Sequence, residues 1–302
     1  MKPMKQWKKS TKWIVGSSSS FILIIGLIFG YYIYKINHAM TTMYQPIQRE
    51  QSNVPDTPSP LGTKAYLILG TDQRPGDKGR TDGIIIAIIN DKTKKISLTS
   101  IPRDTYVEIA NLGRKDKINA AYPLRGVPST VATVENFTGI HIDHYVWFNM
   151  QGFIKAVDTV GGITLNVDSG PAKAYNLPLG MNVLNGEQAL LYTRFRHDIN
   201  GDFGRNDRQQ EALKAFLDES KKIRSPLKVN SLLDILGDDV RTDIPKDELY
   251  QIAKQLDDFS GSSVEQIKYN ATTGPINGIS YVFISDKERE RVSSLLKERL
   301  NR

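Results

Sequence analysis

Between residues 194 and 208 stand four arginines (Arg194, Arg196, Arg205 and Arg208) and no lysine. Arg194 and Arg196 are two apart, so on a strand they share one face. Arg205 and Arg208 are three apart, so on a helix they share one face. A short glycine-containing loop joins the pairs. A guanidinium is a rigid fork that grips phosphate through two N–H groups, which a lysine cannot imitate. A helix opening near Gly204 adds free N–H groups and a positive dipole end, a second anion-binding feature. Asp198, Asp202 and Asp207 offer the competing reading of a salt-bridge web. Clustered arginines repel one another unless an anion sits among them, so an anion site and a salt-bridge web both stand open.

Two more stretches set charge beside apolar runs. Leu69-Gly-Thr-Asp72 is followed by a loop holding Gly76 and Gly79, then by Arg80-Thr-Asp82. The loop can fold back and bring Asp72 and Asp82 together. Two carboxylates at adjacent strand ends suit Mg²⁺, or Mn²⁺, which takes one or two carboxylates plus phosphate oxygens. The plainer reading is a pair of turn aspartates bonding their own backbone. Ser100-Ile-Pro-Arg103-Asp104 is the third stretch. Arg103 and Asp104 form either a surface ion pair worth about 0–1 kcal/mol or a strand end that projects Arg103 into a site.

Composition narrows the chemistry. The 302 residues contain no cysteine, which excludes disulfide scaffolds, cysteine-ligated metals and thiol nucleophiles. The four histidines form no His-Glu-x-x-His, which excludes a zincin. His141 and His144 are three apart, and without further ligands such a pair is structural. The net charge is +7, but residues 1–12 hold five lysines and no acid. The rest carries 35 basic and 33 acidic residues, so no basic face for nucleic acid is expected.

From Trp13 to Tyr34 the chain runs 22 residues without a charge. A helix of that length spans a bilayer core of roughly 30 Å. Trp7 and Trp13 flank one end, and Tyr31, Tyr32 and Tyr34 the other, where aromatic belts sit. The preceding lysines should stay cytoplasmic, placing the rest outside. A cleaved signal peptide would have a shorter apolar part and a small-x-small site; no Ala-x-Ala is present. The expected organisation is therefore a basic segment (1–12), a single-pass anchor (13–35), a proline-containing tether (36–63) and one domain (64–302).

Within that domain, Ala65–Leu69 and Gly83–Ile89 are apolar runs of strand length. Lys95–Ile101 alternates with period two and should pair with the second as a hairpin. Val131, Val134 and Phe137 make one helical stripe; Phe153, Val157 and Val160 make another, ended by Gly161-Gly162. Both stripes are most simply core, though they could border an apolar slot. His144–Phe148, Ile163–Val167 and Ile279–Ile284 are further strands, and Tyr192–Arg196 is expected as another after a short helix, Gly186–Leu191. A long helix is expected over 204–223. Alternating strands and helices with one hairpin give a three-layer α-β-α sandwich around a mixed sheet.

In this order, the blocks resemble the LytR–CpsA–Psr family. They are Leu69-Gly-Thr-Asp72, Arg80-Thr-Asp82, Ser100-Ile-Pro-Arg-Asp104, Lys117-Ile-Asn119 with Ala121-Tyr122, Val160-Gly-Gly-Ile163, Leu184-Asn-Gly186, Tyr192-Thr-Arg-Phe-Arg196 and Gly204-Arg-Asn-Asp-Arg-Gln209. The resemblance covers residues 64–224 densely. It implies a Mg²⁺-dependent extracytoplasmic phosphotransferase of the cell membrane. Its substrate would be an undecaprenyl-pyrophosphate-linked anionic glycopolymer, such as wall teichoic acid, and its acceptor peptidoglycan. By that resemblance Asp72 and Asp82 are the metal-binding acids. Arg80, Arg103, Arg194, Arg196, Arg205 and Gln209 are the pyrophosphate ligands, with Arg208 and Asp202 matching positions of less defined role. Arg103, Arg194, Arg196 and Asp82 would be catalytic. Thr81 and Gly83 depart from the family's commoner Ser and Ala. A pyrophosphate hydrolase and a non-enzymatic lipid-binding or transcriptional module are the alternatives.

Overall fold

The computed structural model describes residues 27, 30–72, 79–196, 201–223, 225–255 and 263–301. The chain opens with helix α1 (30–43) and continues extended to strands β1 (Thr63–Thr71), β2 (Thr81–Asn90) and β3 (Lys95–Ser100). A ribbon of β4 (Tyr106–Ile109) and β5 (Arg114–Lys117) leads into α2 (Ala121–Thr138), β6 (His144–Asn149) and α3 (Met150–Val160). Next come β7 (Ile163–Val167), α4 (Ser169–Tyr175), β8 (Gly180–Leu184), α5 (Gly186–Arg194) and α6 (Gly201–Ser220). The last part holds α7 (Pro226–Asp239), β9 (Val240–Thr242), α8 (Lys246–Gln255), β10 (Val264–Gln266), β11 (Thr272–Ile276), β12 (Ile279–Phe283) and α9 (Asp286–Asn301).

The central sheet runs β10-β3-β2-β1-β6-β9. β1, β2 and β3 pair antiparallel, whereas β6 lies parallel to β1, so the sheet is mixed. Period-two alternation sends side chains to opposite faces. Leu67, Leu69, Ile84, Ile86 and Ile88 pack on Val131, Val134 and Phe137 of α2 and on Val292 and Leu296 of α9. Tyr66, Ile85, Ala87 and Leu98 pack on the other side with Leu213 of α6 and Leu249 and Ile252 of α8. Each fully buried Leu or Ile contributes about 1.5–3 kcal/mol, so both faces need cover. A third core joins Val157 and Val160 of α3 to Ile163 and Leu165 of β7, Ala189 and Tyr192 of α5 and Ala212 of α6. The two helical stripes therefore serve two separate cores, and α6 contributes to both the sheet core and the third.

Three expectations change. Tyr192–Arg196 is not a strand: α5 runs on to Arg194, and Phe195 stops it in an extended conformation. A capping box between Asn185 and Gln188 starts this helix, and Ala189 and Tyr192, three apart, bury into the third core. Helix α6 starts at Gly201, ahead of the expected Gly204, so Arg205 and Arg208 sit past its first turn. The stretch 36–63 is not a loose tether. Ala39 and Met43 of α1 are buried, Gln45 N donates to Thr242 O at 2.7 Å, and Arg49 reaches Asp143 O at 2.9 Å. Ser59 N donates to Asp143 Oδ1 at 3.0 Å. Its polar, proline-rich composition looks like a linker because its partners lie on distant parts of the chain.

Among the described residues no helix is long and apolar enough to cross a membrane. Most of the uncharged run 13–34 lies outside the described residues.

Candidate active site

The register of β1 and β2 slips at their outer end. Gly70 pairs with Gly83 and Thr71 with Thr81, so Asp82 is an extra residue opposite no partner. Such a bulge re-aims a side chain and leaves backbone groups without a ladder bond. The Asp82 carbonyl takes its bond from Gln209 Nε2 of α6, at 3.4 Å. The Asp82 carboxylate is ion-paired with Arg103 through Oδ1. Asp72, just past β1, accepts the Arg80 N–H on Oδ1 at 2.7 Å, closing the base of the loop between the strands.

Arg103 stands on a short segment that is pinned by three backbone hydrogen bonds. Asn119 N donates to Arg103 O at 3.2 Å, Ile118 N to Thr105 O at 2.8 Å, and Val282 N of β12 to Asp104 O at 2.9 Å. Lys117 Nζ lies 3.0 Å from Asp104 Oδ1, and Arg103 Nε lies 3.8 Å from Asp104 Oδ2. The Lys117-Ile-Asn119 block thus builds the platform for Arg103. Lys117 as a positioning residue was legible only as part of that block, because its partner is 13 residues away.

Helix α6 supplies the rest. Arg205, Asn206, Arg208 and Gln210 are buried although the segment is polar. Arg205 is 2 % exposed, and a guanidinium so placed demands hydrogen-bond partners or a counter-charge. Arg208 donates through Nη1 to Phe195 O at 3.3 Å and through Nη2 to Asp168 Oδ2 at 3.1 Å. Its guanidinium also lies 5.0 Å from the Phe195 ring centroid, a cation–π distance. Gln210 Nε2 donates to Ser100 Oγ at 2.7 Å. Asp207 pairs with Lys268 at 2.7 Å, so it is spent on a lysine from another segment and not on the arginines. Asp168, absent from the sequence reading, is the carboxylate that meets Arg208; its signal was only that of a helix N-cap.

The structure thus brings Asp82, Arg103 and Gln209 into direct contact and sets Asp72 and Arg80 beside them at the strand ends. Arg208 turns toward Asp168 and Phe195. Arg194 is exposed at the end of α5, and Arg196 is half-buried two residues on. Asp202 lies in the first turn of α6, and its side chain, like Asp198, falls outside what the structure describes. His141 and His144 are structural: His141 Nδ1 lies 3.3 Å from Glu135, and His144 Nε2 lies 3.2 Å from Glu248. A cleft of 660 Å³ along β4 and β5, lined by Tyr106, Asn111, Asn136 and Arg289, contains none of the expected site residues.

The donor chemistry at the strand ends fits a hard cation. Asp72 and Asp82 offer carboxylate oxygens there. Thr71 and Thr81 face each other across the ladder, and their buried hydroxyl oxygens have no hydrogen-bond partner among the described residues. An all-oxygen set of this kind suits Mg²⁺. Among the described residues, no group of three or more His, Asp or Glu gathers into a cage, so phosphate oxygens or water would complete the shell.

A mixed α/β domain with the Arg103–Asp82 pair at the end of its central strands is the class of protein that the fold and the site define. The LytR_cpsA_psr family model matches residues 30–298, and the chain belongs to that family. It is 36% identical over 308 residues to the polyisoprenyl-teichoic acid–peptidoglycan teichoic acid transferase TagU of Oceanobacillus iheyensis, covering 96% of this chain and 95% of that one. The TagU of Bacillus subtilis is 34% identical over 297 residues, covering 94% and 95%. Among solved structures, TagT bound to LIIa-WTA superposes with a TM-score of 0.71 at 26% identity, covering 85% of this chain and all of that one. The crystal structure of B. subtilis TagU gives 0.62 at 33% identity, covering 80% and 97%.

Proposed function

We propose that the protein is a membrane-anchored transferase that moves teichoic acid, or a similar anionic glycopolymer, from an undecaprenyl-pyrophosphate carrier to peptidoglycan. The N-terminus is cytoplasmic and the folded domain lies outside. The observation that carries this reading is the Arg103–Asp82 pair at the bulged strand end, with Gln209 of α6 on the same residue. The transferase names of the relatives support it.

An acceptor sugar hydroxyl attacks the phosphorus that carries the glycan. The new P–O bond forms, the pyrophosphate bridge breaks, the carrier leaves as its monophosphate, and the hydroxyl proton is released. Such a transfer needs positioning and charge neutralisation more than a protein nucleophile. Asp72 and Asp82 would hold Mg²⁺ or Mn²⁺, which when bound supplies Lewis-acid stabilisation of phosphate oxygens. Arg103, fixed by the Asp104–Lys117 contact, presents its fork where leaving-group charge develops. Arg80, Arg194, Arg196 and Arg205 bind the phosphates, Gln209 fixes the bulge, and Arg208, held by Asp168 and the Phe195 carbonyl, shapes the arginine end of α6.

The test is the full chain in lipid nanodiscs with a lipid-pyrophosphate-linked glycan, Mg²⁺ and a peptidoglycan oligomer. A phosphodiester-linked glycan on the oligomer is expected, lost in Arg103→Ala and on chelation. Absence of product while the carrier still binds overturns transfer. Phosphate release at the same rate with or without acceptor points instead to a hydrolase.

A further inference from the structure

The β7–β8 ribbon carries an apolar edge that is left uncovered among the described residues. Leu179, Met181 and Val183 are exposed by 68%, 68% and 63%, whereas Leu184 on the other face is buried in the third core. Soluble surfaces rarely gather such side chains without a use. The edge is held firm: Asn182 Nδ2 donates to the carbonyls of Pro178, Leu179 and Gly180 at 3.2, 3.1 and 3.0 Å. Opposite Val183 and Met181 on β7 stand Thr164 and Asn166, so the outer face is apolar along one strand and polar along its neighbour.

Its position ties it to the place where the chain leaves its uncharged run. Tyr31 of α1 donates to Asn230 of α7 at 3.4 Å, and Lys35 pairs with Asp234. From the same helix α7, Lys228 Nζ reaches Val160 O at 3.1 Å, beside Gly161. A Cβ built on the adjoining Gly162 would stand 2.7 Å from Val183 Cγ1, so Val183 lies directly over that turn. On α1 itself Tyr31, Ile33 and Tyr34 are exposed, as interfacial residues would be. At the ribbon's other end Asp168 follows β7 and holds Arg208. The apolar edge therefore runs from the anchor's exit toward the arginine end of α6.

We propose that this edge docks on the bilayer: Leu179, Met181 and Val183 sink into the headgroup boundary beside the anchor and hold the arginines at the depth of the carrier's pyrophosphate. The inference rests on the membrane-anchored reading above. Apolar side chains on a rigid ribbon would add to the anchor an orientation that a single helix cannot impose.

The absence of cysteine permits a clean test. Met181→Cys, Val183→Cys and, as a control on exposed α9, Glu290→Cys are each labelled with the environment-sensitive dye NBD in the full chain. Each is reconstituted at one chain per nanodisc of phosphatidylglycerol and phosphatidylcholine. Dyes at 181 and 183 should emit to the blue of the dye at 290 and be quenched several-fold more by doxyl lipids. Equal emission and quenching at all three positions in disc-bound protein overturns the proposal. A signal that appears only at several chains per disc, or only after carrier lipid is added, also overturns it, in favour of a second copy or of the substrate tail. Failure to incorporate into discs would instead sink the anchored reading. Without dye, Met181→Asp/Val183→Asp should raise KM for the lipid-linked substrate several-fold in discs and leave it unchanged in detergent micelles. An equal effect in both overturns docking.

Discussion

His144 opens β6, and its ring lies between Asp243, at 3.4 Å from Nδ1, and Glu248, at 3.2 Å from Nε2. Burial alone would push the imidazole down. The hydrogen bonds and charges of the two carboxylates outweigh it and raise the pKa from 6.5 to about 9. Glu248 is correspondingly held below the usual carboxylate range: burial opposes, and the bonds from His144 and Tyr66 win. Because the imidazole's value is higher folded than unfolded, its contribution is complete below pH 6.5. It declines between 6.5 and about 9 and is gone above that. At about 1.4 kcal/mol per tenfold change in proton affinity the ceiling is about 3 kcal/mol. Residual solvent around the cluster reduces the expectation to about 1–2 kcal/mol. The experiment is urea unfolding of the full chain and of His144→Gln in the same micelles at pH 6.0, 7.5 and 9.5, conditions chosen to bracket the window. The wild type should exceed the variant at the lowest pH, with the gap narrowing at each step. A gap that stays constant from pH 6.0 to 9.5 would show that the charge of His144 contributes nothing and would refute the reasoning.

Gly186→Ala should destabilise by at least about 2 kcal/mol in the same unfolding assay, because its Cβ would stand 2.3 Å from Ile154 O, backbone that cannot step aside. Gly83→Ala should leave transfer activity within about twofold of wild type, because at this half-buried position its Cβ would meet Gln209 Oε1 at 3.5 Å, ordinary van der Waals contact. Lys117→Met should lower kcat roughly tenfold with little change in carrier binding, since it releases Asp104 and loosens the Arg103 platform rather than a phosphate ligand. Binding lost in parallel with kcat would count against that positioning role.

Local patterning carried much of this protein. The strands at 63–71, 81–90 and 95–100 were legible because burial on two sheet faces writes long β-branched runs into the chain. The helices of the two apolar stripes were legible because one buried face must recur every three to four residues. The arginine blocks and the two aspartates stood out as candidates by residue type, a guanidinium fork suiting phosphate and hard carboxylates its cation, with a salt-bridge web and turn aspartates as the competing readings.

Only the tertiary structure decided which of these meet. Arg103 meets Asp82, 21 residues upstream, at a one-residue slip between two strands that no periodicity announces. The Tyr192–Arg196 segment alternates like a strand, yet the Asn185–Gln188 box and the packing of Ala189 and Tyr192 keep it helical as far as Arg194. Residues 36–63 look like a linker, yet Asp143 accepts the Ser59 N–H and the Thr242 carbonyl accepts the Gln45 N–H. For Arg103 and for the stretch before β1 the deciding bond joins residues far apart in sequence, and for α5 a local cap acts together with packing on α3 and β7. A chain records its own periodicity, but the partner across such a contact is set only when the sheet and α6 close on one another.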